Sequence, residues 1–332
     1  MKTYLTGIKP TGMVHLGNLL GAIRPAIDFS NNEDAAQFIY FIADYHAMTA
    51  SRDPKEFHEN VYSIAATWIA LGLDTKKSIF YKQSDVKEIF ELQWLLSCMT
   101  PKGDMNRAHS YKDKVQKNAD EKRDTDYGVN MGLYSYPILM AADILMYDTN
   151  FVPVGKDQKQ HVEIARSIAQ RINEYFGEGT LIEPQEVLQE NGAYIAGLDG
   201  RKMSKSYDNT IPLFVPEKKL RKLIMKIKTD SQPPEAPKDP NDSLIMDLYK
   251  LFANDEQVKS LTEWYQRGIG WGEAKQELFL AVNDYISKPR DEYNRLMDDK
   301  AYLDEVLRDG ANRAREIATT TMDRVRKNMT GF

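Results

Sequence analysis

Gln37-Phe38-Ile39-Tyr40-Phe41-Ile42-Ala43 decides the fold. Its apolar residues occupy both alternating sets of positions, so both faces of a strand built from it ask for burial. A strand covered on both sides belongs in a parallel sheet, because parallel neighbours need crossover connections that lie on the sheet faces. Upstream, Tyr4-Leu5-Thr6 reads as a short strand running into the glycine- and proline-rich turn Gly7-Ile8-Lys9-Pro10-Thr11-Gly12. A helix then starts at about Asn18, carrying Leu19, Leu20, Ala22 and Ile23. Downstream, helical spacing from Glu56 to Leu71 leads to a strand at Ser78-Ile79-Phe80-Tyr81. Helices at Phe90 to Met99 and Met131 to Tyr147 precede a strand at Phe151-Val152-Pro153-Val154 and a long helix from Gln158 to Tyr175. This alternation predicts an α/β fold with helices on both faces of a parallel sheet.

The polar stretch from Lys102 to Gly128 reads as a solvated loop or exposed helix, or as a mobile cover that brings lysines to a nucleotide. A boundary falls near Pro212 to Pro216. Beyond it, Glu217 to Asp230 carries six basic residues, Lys218, Lys219, Arg221, Lys222, Lys226 and Lys228, against two acidic ones, a net of +4. Leu220, Leu223, Ile224 and Ile227 give this segment an apolar stripe at helical spacing. Gln232 to Asp242 is proline-rich and reads as a loop, and every pattern from Ser243 to Asn328 is helical. No internal repeat is visible.

The 332 residues suffice for two domains of about 100–200 residues each. A hydrophobic fraction of 42% allows a sizeable core and excludes disorder as the default. The formal net charge of -5 excludes nucleic-acid coating by bulk positive charge, so any RNA contact must come from local basic patches. Cys98 is the only cysteine, which excludes an intrachain disulfide. It sits in the apolar run Leu95-Leu96-Ser97-Cys98-Met99, where a packed, inert thiol is expected. The five histidines are scattered without cysteine neighbours, so no metal site is expected. The opening residues MKTYLTGIKP lack a signal-peptide core, and no run approaches the roughly 18 apolar residues of a membrane span. A cytoplasmic protein without a membrane partner is expected.

Two motifs carry chemistry. Pro10-Thr11-Gly12-Met13-Val14-His15-Leu16-Gly17-Asn18 lies between the first strand and the first helix, outside a strand's carboxyl end, where ligands of parallel sheets bind. Gly12 and Gly17 permit close backbone approach, and His15 and Asn18 offer hydrogen bonds to phosphate. Lys202-Met203-Ser204-Lys205-Ser206 sets two lysines among small polar residues, which suits a loop gripping a polyphosphate and stabilising a departing pyrophosphate. Each has a plainer reading, as a simple turn and as a basic surface loop.

In this order, separated by a parallel α/β region, the two motifs resemble the HIGH and KMSKS signatures of the class I aminoacyl-tRNA synthetases. Further stretches resemble the tryptophan-activating family within that class. They are Gly7 to Gly12, Ala43-Asp44-Tyr45-His46-Ala47, the helix Tyr136 to Leu145, and Val152 to His161. The resemblance covers nearly the whole chain. It implies a Rossmann-like catalytic domain over residues 1–215, with a helical insertion around 85–147, and a smaller all-helical domain over 216–332 that reads the tRNA anticodon. It also implies the substrates L-tryptophan, ATP with Mg²⁺ and tRNA(Trp), no structural metal, and a homodimer.

Indole has one N–H donor and no acceptor, so a pocket selecting it needs one buried acceptor in an apolar wall. Asp143 is an acid in an otherwise apolar helix, and an isolated buried carboxylate is costly unless it binds something. The resemblance makes Asp143 the acceptor of the indole N–H; the plainer reading pairs it with a core arginine or lysine. Tyr136 and Met140 share its helix face. The resemblance further implies Leu5, Gly7, His46, Tyr136, Met140, Val152, Val154 and Gln158 as tryptophan contacts, although His46 could equally be a satisfied structural group. It implies Lys9, Pro10, Thr11, Gly17, Asn18, Gly155, Lys156, Asp157, Ile195, Lys202, Met203, Ser204, Lys205 and Ser206 at ATP, with His15, Asn18, Lys202 and Lys205 catalytic. Lys112 and Lys114 would reach the phosphates if the polar stretch is a cover. Lys9, Lys156, Tyr207 and Leu5 depart from the commoner glutamine, glutamate, aspartate and phenylalanine. The two lysines make the ATP site more positive. A tyrosine-specific enzyme of the class and an idle RNA-binding paralogue stand as alternatives.

Overall fold

The structure is a computed structural model describing residues 1–188 and 195–332, without the side chain of Asp157. Strand β1 (Lys2–Ile8) leads through α1 (Leu16–Asn18), a π-helical turn (Leu19–Ile23) and α2 (Arg24–Asn32) to β2 (Ala36–Ile42). The two strands pair in parallel from Lys2 opposite Ala36 to Ile8 opposite Ile42. After α3 (Asp44–Ala47) and α4 (Pro54–Ala70), β3 (Ile79–Lys82) joins the far side of β2. Asp53 starts α4 by accepting from the Lys55 and Glu56 amides, with Pro54 in the first turn, where its missing N–H costs nothing.

Four helices follow: α5 (Glu88–Met99), α6 (Lys102–Arg107), α7 (His109–Asp120) and α8 (Met131–Leu145). The chain then crosses to the other side of β1 with β4 (Phe151–Val154), and α9 (Lys159–Phe176) leads to β5 (Gln185–Leu188). The sheet order is β3-β2-β1-β4-β5, all parallel. The direction of winding reverses between β1 and β4, which opens a crevice beyond their carboxyl ends.

The remaining helices are α10 (Glu217–Ile224), α11 (Leu244–Tyr249), α12 (Asp255–Arg267), α13 (Trp271–Asp298) and α14 (Lys300–Thr330). Helix α13 packs on α4, and α14 lies on β3. The approach of α14 is so close that a Cβ at Gly310 would stand 1.9 Å from the Phe80 carbonyl oxygen. Residues on both sides of position 215 contribute to both hydrophobic cores. One core joins Phe38, Tyr40 and Trp68 to Leu220, Leu278 and Leu303. The other joins Ile39, Phe41 and Tyr81 to Ala314 and Met322. Among the described residues no helix is long and apolar enough to cross a membrane.

Two points differ from the sequence reading, the strand β5 and the exposure of Cys98. Strand β5 was not expected, because Gln185-Glu186-Val187-Leu188 is an edge strand whose residues are exposed or half-exposed and so lack an apolar run. In the polar stretch after Lys102 the helix alternative is the one seen, as α6 and α7. The expectation of a packed thiol at Cys98 is corrected, since the residue is exposed. Helix α5 buries Ile89, Leu92 and Leu96 at helical spacing, and Cys98 falls on the opposite side.

Candidate active site

A cavity of about 600 Å³ opens where the winding reverses. The carboxyl ends of β1 and β4 supply Gly7, Ile8, Val154 and Gly155 to its wall, and Ala43 enters just past β2. All nine residues expected at tryptophan line it: Leu5, Gly7, His46, Tyr136, Met140, Asp143, Val152, Val154 and Gln158. Strand alternation explains the grouping on β1, where Leu5 and Gly7 share one face. Helix α8 brings Tyr136, Met140 and Asp143 to the same side by its 3.6-residue period.

Asp143 is fully buried and carries no lysine or arginine partner among the described residues, so the plainer pairing is not what holds it. His46 Nε2 lies 2.8 Å from its Oδ2. The Gln83 amide Nε2 donates to Oδ1 at 2.8 Å and to Oδ2 at 2.9 Å. A carboxylate has about four lone-pair sites, two per oxygen. With these contacts Oδ2 is filled and Oδ1 retains one. Burial raises the Asp143 pKa from the ordinary aspartate value, while the His46 and Gln83 hydrogen bonds pull it back. His46 is thus both a partner of Asp143 and part of the wall. Beside it, the Tyr136 hydroxyl reaches His161 Nε2 at 3.2 Å.

Gln83 was missed in the sequence. It begins the one-turn 3-10 segment Gln83–Asp85 after β3, looking like ordinary loop polarity. Its one signal was position, immediately past a buried strand's carboxyl end, where ligands bind.

The first motif folds as a reciprocal cap. The Asn18 amide donates to His15 Nδ1 at 3.3 Å, and the His15 amide donates to Asn18 Oδ1 at 3.2 Å. Since Nδ1 accepts, the neutral ring carries its proton on Nε2, leaving a donor on the far side. Burial, and then the charge of Lys205, push the His15 pKa down to about 4, so the ring is neutral at pH 7.

The second motif is tied to the first. The Gly17 amide donates to Met203 Sδ at 3.3 Å, and Lys205 Nζ donates to the Thr11 carbonyl oxygen. The Leu16 amide donates to the Ile211 carbonyl oxygen and the Leu213 amide to that of Val14, both at 2.9 Å. Asn209, also missed, secures the loop. It accepts from the Ser204 amide at 2.8 Å and donates to Asp199 at 2.7 Å and to the Lys202 carbonyl oxygen at 3.1 Å. Burial lowers the pKa of both Lys205 and Lys9, and Lys9 Nζ donates to Thr49 Oγ1 at 3.3 Å.

Of the residues expected at ATP, Lys9, Thr11, Asn18, Gly155 and Lys205 line the cavity. Pro10 and Met203 are buried and Gly17 half-buried, none of them in the wall, and Ile195 is buried with its carbonyl accepting from the Met203 amide at 2.8 Å. The structure does not bring Lys202, Ser204, Ser206 or Lys156 into the wall. Lys202 and Lys156 are exposed, and the two serine hydroxyls bond each other at 2.8 Å. Lys112 and Lys114, on α7, also lie outside the wall, and the Asp157 side chain lies outside the described ones. Tyr207 stacks under Arg201, 4.4 Å from ring centre to guanidinium.

Comparison with known proteins decides the family. The family described as tRNA synthetases class I (W and Y) matches residues 1–287. The chain belongs to the class I tRNA synthetases of the W and Y type. A tryptophan–tRNA ligase of Pseudomonas aeruginosa is 50% identical over 325 residues, which is 97% of this chain and 72% of the relative. One from Neisseria meningitidis is 47% identical, covering 98% of this chain and 96% of its own. A crystal structure of a Campylobacter jejuni tryptophanyl-tRNA synthetase complexed with ADP and tryptophan superposes with a TM-score of 0.92 at 45% identity, covering 99% of this chain and 100% of that one. For this class I synthetase, the parallel sheet with its helices and the helical C-terminal region agree with the fold class the sequence predicted.

Proposed function

We propose that the chain activates L-tryptophan with ATP and transfers it to tRNA(Trp). The observation that carries the amino-acid assignment is the single acceptor site left on buried Asp143, in a cavity to which Leu5, Phe41, Met140, Ile144, Val152 and Val154 contribute apolar wall. One N–H donor satisfies it, which fits indole. Tyr136 and Gln158 take the amino group and carboxylate, with Gly7 and His46 completing the pocket.

In the first step a tryptophan carboxylate oxygen bonds to the α-phosphorus as the bond to the bridging oxygen breaks and pyrophosphate leaves. The nucleophile is already ionised, so no general base is needed, and catalysis is positioning plus charge stabilisation. His15 Nε2–H and Asn18 donate to phosphate, and Lys205 meets the leaving group. Lys9, Pro10, Thr11, Gly17, Gly155 and Ile195 hold the nucleotide, with Lys156 and Asp157 at the adenosine. Lys202, exposed here, joins Lys205 when Met203, Ser204 and Ser206 close over ATP. Mg²⁺ enters with ATP, on its phosphates.

The second step moves the tryptophanyl group to the terminal ribose of the tRNA. Its phosphates fit the exposed cations of α10 and just beyond, Lys218, Lys219, Lys222 and Lys226, none of which is in an ion pair among those described. The helices beyond 216 read the anticodon. A homodimer forms through the exposed Trp94 and Met131, with Tyr45 packed on Phe90 one turn before Trp94. The enzyme acts in the cytoplasm.

Amino-acid-dependent exchange of labelled pyrophosphate into ATP tests the reading. Exchange with tryptophan and none with tyrosine is expected. Exchange with tyrosine would overturn the pocket assignment, and no exchange with either from folded protein would leave an RNA-binding paralogue.

A further inference from the structure

The acceptor site on Asp143 is a remainder, and Gln83 sets it. Gln83 is fully buried. Its backbone is locked from behind, because the Ser84 amide donates to buried Asp44 Oδ1 at 3.0 Å and the Val86 amide to the Gln83 carbonyl oxygen at 3.1 Å. Its side chain spends one amide edge on both oxygens of Asp143, while its own Oε1 is buried with no hydrogen-bond partner among the described residues. A buried acceptor left unmade is a cost to the fold. Turning the amide over would set Oε1 against two carboxylate oxygens, which is worse while Asp143 is ionised. The orientation is therefore held by the carboxylate's charge, and the carboxylate's direction is held by the amide.

We propose that Gln83 is a positioning residue for amino-acid selection: its amide occupies two acceptor sites of Asp143 and so leaves one, for a ring bearing a single N–H. This deepens the assignment of Asp143 and rests on it. Without the amide, three sites stand open and the carboxylate can turn, so a lone indole donor leaves buried acceptors unmatched. The protonation of Asp143 shifts too. The ionisable groups around it are His46 on α3, Tyr81 on β3, Tyr147 after α8, Glu88 on α5 behind Tyr147, and Asp44 behind Tyr81. Burial drives both tyrosines well above the ordinary value, so they stay neutral. His46 and Gln83 alone draw Asp143 back down. With Gln83 gone, Asp143 keeps its proton to higher pH, and a protonated carboxyl presents a donor to a donor.

The test uses the full chain in pyrophosphate exchange, with tryptophan and with the analogue in which sulfur replaces the ring N–H. For Gln83→Met, which keeps length and removes the donor, KM for tryptophan is expected to rise by about tenfold or more while kcat holds. KM for the sulfur analogue stays put, and the tryptophan defect deepens as pH falls. Gln83→Glu is the second variant. Its carboxyl restores an O–H donor only when protonated, so its tryptophan KM improves as pH falls, the opposite trend. Equal losses for both amino acids, or no loss, would overturn the proposal, as would parallel pH trends in the two variants. If Gln83→Met fails to fold, the Gln83→Glu trend decides alone. Asp143→Leu, which has no acceptor, separates the parent assignment: if the folded variant keeps full preference for tryptophan over the analogue, Asp143 is not the selecting acceptor, whatever the Gln83 variants do.

Discussion

Replacing Lys205 by alanine should disturb both motifs through one atom. Its ammonium donates to the Thr11 carbonyl oxygen and lines the cavity, and a Cβ built on Gly12 would stand 3.3 Å from it. The group is therefore held where a polyphosphate would meet the turn. A donor aimed at charge that develops in the transition state is worth about 10²–10³ in rate. Adenylate formation in Lys205→Ala should fall by roughly 10²-fold or more, measured in a single turnover with saturating tryptophan and ATP. The second readout is His15. Burial and then the Lys205 charge hold its pKa at about 4. Deleting Lys205 removes the smaller cause, so the value should climb while remaining below that of a free histidine. The folded protein binds this proton less readily than the unfolded chain. Stability therefore falls as pH drops from the free-histidine range toward 4, and Lys205→Ala should narrow that window. NMR titration of the ring follows the shift. Lys205→Arg keeps the charge and should leave His15 near its starting value while restoring only part of the rate, because a planar fork replaces a point donor. A single-turnover rate within about threefold of the starting protein would refute the phosphate role, since a lost transition-state donor costs far more. An unmoved His15 titration would refute the electrostatic coupling.

Gly310→Ala places a methyl 1.9 Å from the Phe80 carbonyl oxygen, so α14 must lift from β3; calorimetry should show a loss of about 1–3 kcal/mol. Trp94, 67% exposed, should anchor self-association: the unsubstituted protein is expected to sediment as a dimer and Trp94→Glu as a monomer. Charge reversal of Lys218 and Lys222 together should raise KM for tRNA and flatten its salt dependence by a slope of about two, leaving pyrophosphate exchange unchanged.

Much of this architecture is readable along the chain, because its signals are local. Phe38 to Ala43 is buried on both faces of the pleat, which only a doubly covered strand satisfies. The spacing of His15 and Asn18 is a reciprocal helix cap, so the motif is a piece of secondary-structure chemistry as much as a ligand site. Tyr136, Met140 and Asp143 meet by helical period alone. Strand β5 was lost because edge strands do not need apolar faces, and Cys98 was misplaced because an apolar run in a helix does not say which side is outside.

What the residues determine by themselves is therefore the order of elements, the two motifs and the presence of a costly acid in an apolar helix. What that acid does is a tertiary matter. His46, Gln83 and Asp143 come from three separate elements, and only folding counts how many acceptor sites remain between them. The same holds for His15, whose pKa is lowered first by burial and then by the charge of Lys205 arriving from the second motif. Hydrogen-bond stoichiometry and electrostatic shifts act over a few ångströms in space, and distance along the chain carries no information about them.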